Sequence, residues 1–303
     1  MSPLLITCTI AIALPFAAQS GGLVAEDDGM MATAPAIYPT FGVHNPPQYS
    51  PCPPTGKDCL HRRTEGQPSD PLWPQQWVSD WTMYRVFDGY KDNPPPYTSP
   101  PSTLTPDQYE VSQGWTAYDS TYQIDKYPDA GAMMEHYEKR CLPIFPIDNQ
   151  FSCAFVSLGK TAYFLTYEQD RPKDMPPCCL FSPENHPPRR DFVKHLPYSP
   201  QDSARLDNIQ AYALSTGPIL FGFAAHSDYT TDADVPHQPA YRHPQSFYFS
   251  GSPETPPNAP IVSQNYSGFS ARAPDPTTTW DLVAKMCTAQ PLPDCQLFDP
   301  PAN

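Results

Sequence analysis

From Trp73 onward the chain carries runs of apolar and aromatic residues at strand-like spacing; before it there is little periodicity of any kind. "WVSDWTMYRVFDGY" (77–90) alternates and is rich in rings, and "GWTAYDSTYQIDKY" (114–127) has the same character, so both predict strands. "GAMMEHYEKRCLPIF" (131–145) is ambiguous. Met133, Met134, Tyr137 and Arg140 fit a helical face, but Pro143 would end a helix at once, so a strand and a short helix both stay open. Residues 151–167 read as a hairpin. Phe151, Cys153 and Phe155 face one way and Ala154, Val156 and Leu158 the other; Tyr163, Leu165 and Tyr167 then oppose Ala162 and Phe164 on the return. Gly159-Lys160 suits a type II′ turn, with glycine at the first central position. An antiparallel pair with one wet face should alternate apolar with polar. This pair is apolar on both faces, so both need a cover: a second sheet, a helix or a ligand.

Further strands are predicted in "NIQAYALSTG", "PILFGFAAHS", "QSFYFSG" and "IVSQNYSGFSA". "TTTWDLVAKMC" predicts a helix, with Thr279 as its cap, Trp280, Val283 and Cys287 at helical spacing, and Pro291 and Pro293 beyond its end. Eight or nine strands with little helix predict a mostly β fold, either two stacked antiparallel sheets or a half-barrel, with a short C-terminal helix.

The N-terminal region changes the picture of where the protein resides. Residues Pro3 to Ala18 are uncharged and largely apolar, and Ala18-Gln19-Ser20 has the small-x-small pattern of a signal-peptidase site. Residues 1–20 are therefore read as a secretory signal, 21–72 as a proline-rich leader and 73–303 as one antiparallel β domain. The apolar run is shorter than the roughly 20 residues a membrane span needs. Removing the signal takes Cys8 with it and leaves eight cysteines: Cys52, Cys59, Cys141, Cys153, Cys178, Cys179, Cys287 and Cys295. An even number behind a signal peptide predicts disulfides. "NYS" at Asn265 is an N-glycosylation sequon, meaningful in the same compartment. Prolines number 43 of 303, far above the usual ~5%, and they cluster between the apolar runs, which suits short elements joined by stiff loops. A formal charge of −14 argues against nucleic acid and anionic lipid surfaces as partners.

Cys178-Cys179 poses a problem of its own. A redox pair would be C-x-x-C at a helix start, and zinc would want cysteines two to four apart, repeated elsewhere. A bond between neighbours would strain the peptide between them. The remaining reading sends each cysteine to a different segment. Cys141 and Cys153, which flank the hairpin, are then the expected partners, leaving Cys52 with Cys59 and Cys287 with Cys295.

Catalytic motifs are few. "LGKT" (158–161) lacks the earlier glycine of a P-loop, which is Ala154; "GFSAR" (268–272) lacks the second glycine of a nucleophile elbow; H-E-x-x-H does not occur. The chain is read as a binding protein and not an enzyme, with a secreted hydrolase using His226 or His243 as the remote alternative. The segment 226–243 holds Asp228, Asp232 and Asp234, whose oxygens suit Ca²⁺; a plain polar loop is the simpler reading, and no other cofactor is expected. The aromatics, 18 Tyr, 15 Phe and 5 Trp, by default fill a core; a curved sheet with more rings than its layer holds would instead enclose an apolar cavity. Trp115, Tyr118, Phe155, Tyr163, Leu165, Phe221 and Phe223 are the expected lining, and an apolar small molecule or lipid the expected ligand. An extracellular structural or adhesion protein is the second reading, with other extracellular proteins or a second copy of the chain as partners.

"GWTAYD" (114–119), "AYFLTYE" (162–168) with a cysteine after a short polar loop, and a late aromatic strand at Phe269 followed by a terminal cysteine resemble the ependymin-related proteins. Their sheets look like the bacterial LolA-type lipoprotein-carrier fold. The resemblance implies a secreted glycoprotein, two stacked antiparallel sheets with an apolar pocket between them, calcium binding and dimerisation. No residue here matches a calcium ligand of that family.

Overall fold

A computed structural model describes residues 68, 71–86, 95–123, 131–143, 149–183, 187–196, 198–204, 209–216, 219–227, 241–251 and 261–295. The expected signal at 1–20, most of the expected leader at 21–72, and Cys52, Cys59, Asp228, Asp232 and Asp234 lie outside them.

The fold is mostly β. Its strands are β1 (Gln76–Val86), β2 (Tyr109–Asp119), β3 (Ala132–Glu138), β4 (Cys153–Leu158), β5 (Thr161–Thr166), β6 (Cys178–Ser182), β7 (Tyr198–Ser199), β8 (Ile209–Thr216), β9 (Ile219–His226), β10 (Pro244–Gly251) and β11 (Ile261–Ser270). The ambiguous segment at 131–145 is thus a strand, β3, stopped by the left-handed residues Lys139 and Leu142. All eleven strands join in one antiparallel sheet in the order β6-β5-β4-β3-β2-β1-β11-β10-β9-β8-β7, so of the two expected arrangements the single open sheet of a half-barrel is the one that forms. The topology is two meanders. The first runs outward from β1 to the edge strand β6. The chain then crosses to the far edge at β7 and returns strand by strand until β11 pairs with β1.

The sheet is strongly curved. β2 and β9 are four places apart, which a flat sheet would hold about 19 Å apart. Yet the single indole of Trp73 lies 5.4 Å from the Tyr118 ring on β2 and 6.0 Å from the Phe223 ring on β9. Side chains of both meanders converge on this concave face as one cluster. The crossover runs over it. Phe192, Val193 and Leu196 are buried there, Phe192 stacks edge-on with Trp73 at 4.6 Å and Phe223 at 4.7 Å, and Tyr118 Oη donates to the Pro188 carbonyl at 2.8 Å. A chain that must travel between the two edges of a curved sheet has its shorter path across the concave side, and its apolar residues fill that side on the way.

The convex face of β2 to β5 has a different cover. The C-terminal helix (Asp281–Met286) and the residue before it press Trp280 and Val283 onto Ala117, Ala132, Met134, Ala154, Val156 and Leu165. Every residue of β4 is consequently buried, as a strand apolar on both sides requires. Thr279 does not cap this helix. Its hydroxyl donates to the Asp275 carbonyl at 2.7 Å, closing the preceding turn, and no side chain caps the helix start.

The doubled cysteine now has its explanation. Neighbouring residues of a strand point to opposite faces. Cys178 points to the convex side and bonds Cys287, just past the helix; Cys179 points to the concave side and bonds Cys295. Cys141 bonds Cys153 across the β3–β4 connection. Each of the adjacent pair does reach a different segment, but Cys287 and Cys295 are the partners, and the expected pairings to Cys141 and Cys153 and between Cys287 and Cys295 are replaced. The C-terminal tail therefore wraps around the edge of the sheet. It also bonds to β6 directly, Leu180 N donating to the Pro293 carbonyl and Cys295 N to the Leu180 carbonyl, so the outward backbone groups at the middle of the edge strand are occupied.

Candidate functional site

The expected ligand-lining residues do not share a face. Tyr118, Phe155 and Phe223 point into the concave cluster, whereas Trp115, Tyr163 and Leu165 point to the convex side; the Phe221 side chain lies outside the described set. The reason is parity: Trp115 pairs with His136 and Leu165 with Ala154, each one residue out of step with the concave row. Tyr118 and Phe223 are already engaged by the crossover, and Phe155 packs against Phe164 and Phe181. The sequon residue Asn265 sits mid-strand in β11 between β1 and β10, 8% exposed, its Nδ2 3.4 Å from the Ser263 carbonyl. Of the 226–243 segment, His226 and His243 are described, with ring centroids 6.0 Å apart, and no cluster of metal-ligating side chains occurs among the described residues.

A different set of residues is chemically unusual. Glu135 lies on β3 facing inward, between Met133 and Tyr137, with Thr116 beside it on β2 and Phe155 on β4. Tyr137 Oη donates to Glu135 Oε2 at 2.8 Å. Burial is the main influence on the Glu135 carboxyl and pushes its pKa up, while the Tyr137 hydroxyl and the Gln264 amide act against that shift. Burial likewise pushes Tyr137 and Tyr266 well up, and the nearby Glu135 adds to both. Trp81 reaches this group because Gly114 has no side chain: a Cβ there would collide with the Trp81 ring and the His136 carbonyl. The indole lies across β2 and meets the Tyr137 ring at 5.5 Å.

Five polar side chains on this same face meet no hydrogen-bond partner in bonding geometry among the described residues. They are the indole nitrogens of Trp77 and Trp81, the hydroxyls of Ser112 and Thr116, and Gln264 Nε2, which still acts on the Glu135 carboxyl. All five residues are 5% exposed or less. Register gathers them: Thr116 pairs with Glu135, Ser112 and Gln264 both pair with Met83, and Trp81 lies one inward position along β1 from Met83. Buried polar groups are nearly always paired, and leaving one unpaired costs about 1–3 kcal/mol. A concentration of them on one surface is the mark of a place built to meet something else. The end of the face beyond Ser112 is closed by charge, with Glu110 held by Arg85 at 3.2 Å and Arg140 at 2.9 Å.

Glu135 and Gln264 escaped the sequence reading. Their signal was present but unreadable without register: a glutamate at an inward position of a strand whose neighbours on that side are Met133 and Tyr137. No protein-family model and no curated protein matches the chain.

Proposed function

We propose that the protein is a secreted, disulfide-bonded binding protein whose concave face receives an apolar or amphipathic small molecule, in the manner its resemblance to the ependymin-related proteins implies. The observation that carries this reading is the row of unpartnered polar side chains around Glu135, set in an otherwise apolar and aromatic surface. Ligand sites have that composition: mostly hydrophobic lining with a few convergent polar groups that set orientation. Secretion rests on the N-terminal apolar run and is compatible with three disulfides and with no helix among the described residues being long and apolar enough to cross a membrane. The test is organic extraction of the protein after secretion from a eukaryotic host, with native mass spectrometry before and after. A stoichiometric small molecule released by solvent is the expected result. A bare protein mass that stays bare after incubation with a library of apolar compounds would sink the reading.

A further inference from the structure

We infer that the polar cluster around Glu135 is an acceptor-specific subsite: it takes the oxygen of a neutral carbonyl group, a ketone, ester or amide, at the buried end of an apolar molecule. This rests on the binding role proposed above and adds the ligand's chemical class.

The inventory of unpaired groups sets the class. An indole nitrogen donates and never accepts, and an amide nitrogen likewise only donates. Trp77 Nε1 and Trp81 Nε1 are therefore two donors in search of acceptors, and the Ser112 and Thr116 hydroxyls can turn to donate as well; Gln264 Nε2 is not one of them, because it acts on the Glu135 carboxyl. Glu135 already accepts from Tyr137 at Oε2. Its burial favours the protonated carboxyl, which offers one more donor. The subsite is thus rich in donors and asks for a lone-pair-bearing oxygen.

Charge then discriminates among oxygen ligands. The five residues, Glu135, Tyr137 and Tyr266 include no cation; Arg85 and Arg140 are paired with Glu110 at the end of the face, and Arg190, beyond Tyr118, donates to the Trp73 carbonyl. A carboxylate or phosphate carried into this interior would lose its hydration without gaining a counter-charge, a penalty far larger than that of an uncharged carbonyl. An ammonium head would lose its hydration for one buried carboxyl that already accepts from Tyr137 and whose burial favours its neutral form. A carbonyl oxygen matches the donors and brings no charge to desolvate.

The experiment uses the oxidised full-length secreted protein and three ten-carbon probes, 2-decanone, decanoate at pH 8 and decylammonium, with binding read by calorimetry and by tryptophan fluorescence. The expected result is that 2-decanone binds at least tenfold more tightly than either ion and shifts the tryptophan emission. Two near-isosteric variants remove one donor each, Ser112→Ala and Thr116→Val. Each should weaken 2-decanone binding three- to tenfold, the worth of one hydrogen bond. Both delete an unpaired buried polar group, so folding should be preserved, checked as an unchanged or raised melting temperature. Decanoate binding as tightly as the ketone overturns the neutral-acceptor assignment but leaves the binding role standing. Equal binding of all three, or 2-decanone binding unmoved by both variants in folded protein, overturns the subsite. Failure of all three to bind overturns the binding role itself together with the subsite.

Discussion

Glu135 and His136 are neighbours on β3 that point to opposite faces of the sheet, and the two faces treat a buried titratable group in opposite ways. On the convex side His136 is fully provided for. Its ring stacks on Trp115 at 5.2 Å and 15°, its Nδ1 lies 3.0 Å from the Tyr167 hydroxyl, and burial pulls its pKa down to about 4. On the concave side Glu135 accepts from Tyr137, beside indole nitrogens and hydroxyls that have no partner among the described residues. Burial drives both groups toward their neutral forms, as low-dielectric surroundings must. The difference lies in the immediate surroundings of each group, since on the convex side Ser246 Oγ and Asn265 Oδ1 also meet no partner among the described residues. A satisfied polar group in a packed layer stabilises one arrangement of the core, while a set of unsatisfied ones lowers stability and is retained where it meets a ligand. The covers differ too: a helix tied to the sheet by the Cys178–Cys287 disulfide on one side, a crossover held by packing and hydrogen bonds on the other.

The largest effect should come from undoing the clasp. Cys178–Cys287 and Cys179–Cys295 span 109 and 116 residues but run side by side, so either one alone keeps the long loop closed. Loop-closure entropy then predicts a loss of about 2–3 kcal/mol for Cys→Ala replacement of one pair and about 7 kcal/mol for both. Guanidinium titration of the two single-pair variants and the double-pair variant checks this. Equal losses for one pair and for two would show that the second bond does nothing for the fold.

Next in size is Gly114→Ala, which should cost about 3 kcal/mol by overpacking Trp81 against the His136 carbonyl. Because Trp81 belongs to the concave cluster, its fluorescence should change with the loss of stability. An alanine variant as stable as the parent, with unchanged emission, would mean that the indole does not lie over that position.

Smallest, and most direct for the comparison of faces, is the pH profile. The unfolded chain titrates His136 near 6.5 and the folded protein near 4, so the unfolded state takes up a proton that the fold refuses. Stability should fall as pH drops from about 6.5 to about 4, by at most about 3 kcal/mol, and His136→Phe should flatten that limb. Glu135 has the reverse sign. Its folded pKa is raised, so its stabilising share is present below its ordinary value of 4.5 and is lost as pH rises through the folded value; Glu135→Gln should flatten that decline. If both substitutions change the same limb, adjacent residues on the two faces do not titrate in opposite senses.

Much of the fold was legible along the chain. The hairpin at β4 and β5 declared itself by being apolar on both faces, and Gly159 with a φ of 56° takes the turn position that a type II′ hairpin needs. β1, β2 and β8 to β11 followed from aromatic and β-branched runs, though β2 begins five residues before the glycine at 114. The short strands β6 and β7 left no pattern: at five and two residues they are too short for alternation to register.

Local preferences determined that this chain would form an antiparallel β protein with covered faces, because residue volume and polarity at period two are properties of the segment itself. The sequence also required that Cys178 and Cys179 bond apart, since adjacent cysteines do not easily bridge each other. Tertiary structure alone decided their partners, because proximity of Cys287 and Cys295 to β6 arises only when the tail wraps the sheet's edge. It also decided which side of each strand became the interior. A register shift of one residue exchanges every inward side chain for its neighbour, and that choice put Glu135, Gln264 and Trp81 together while sending Trp115, Tyr163 and Leu165 to the other face.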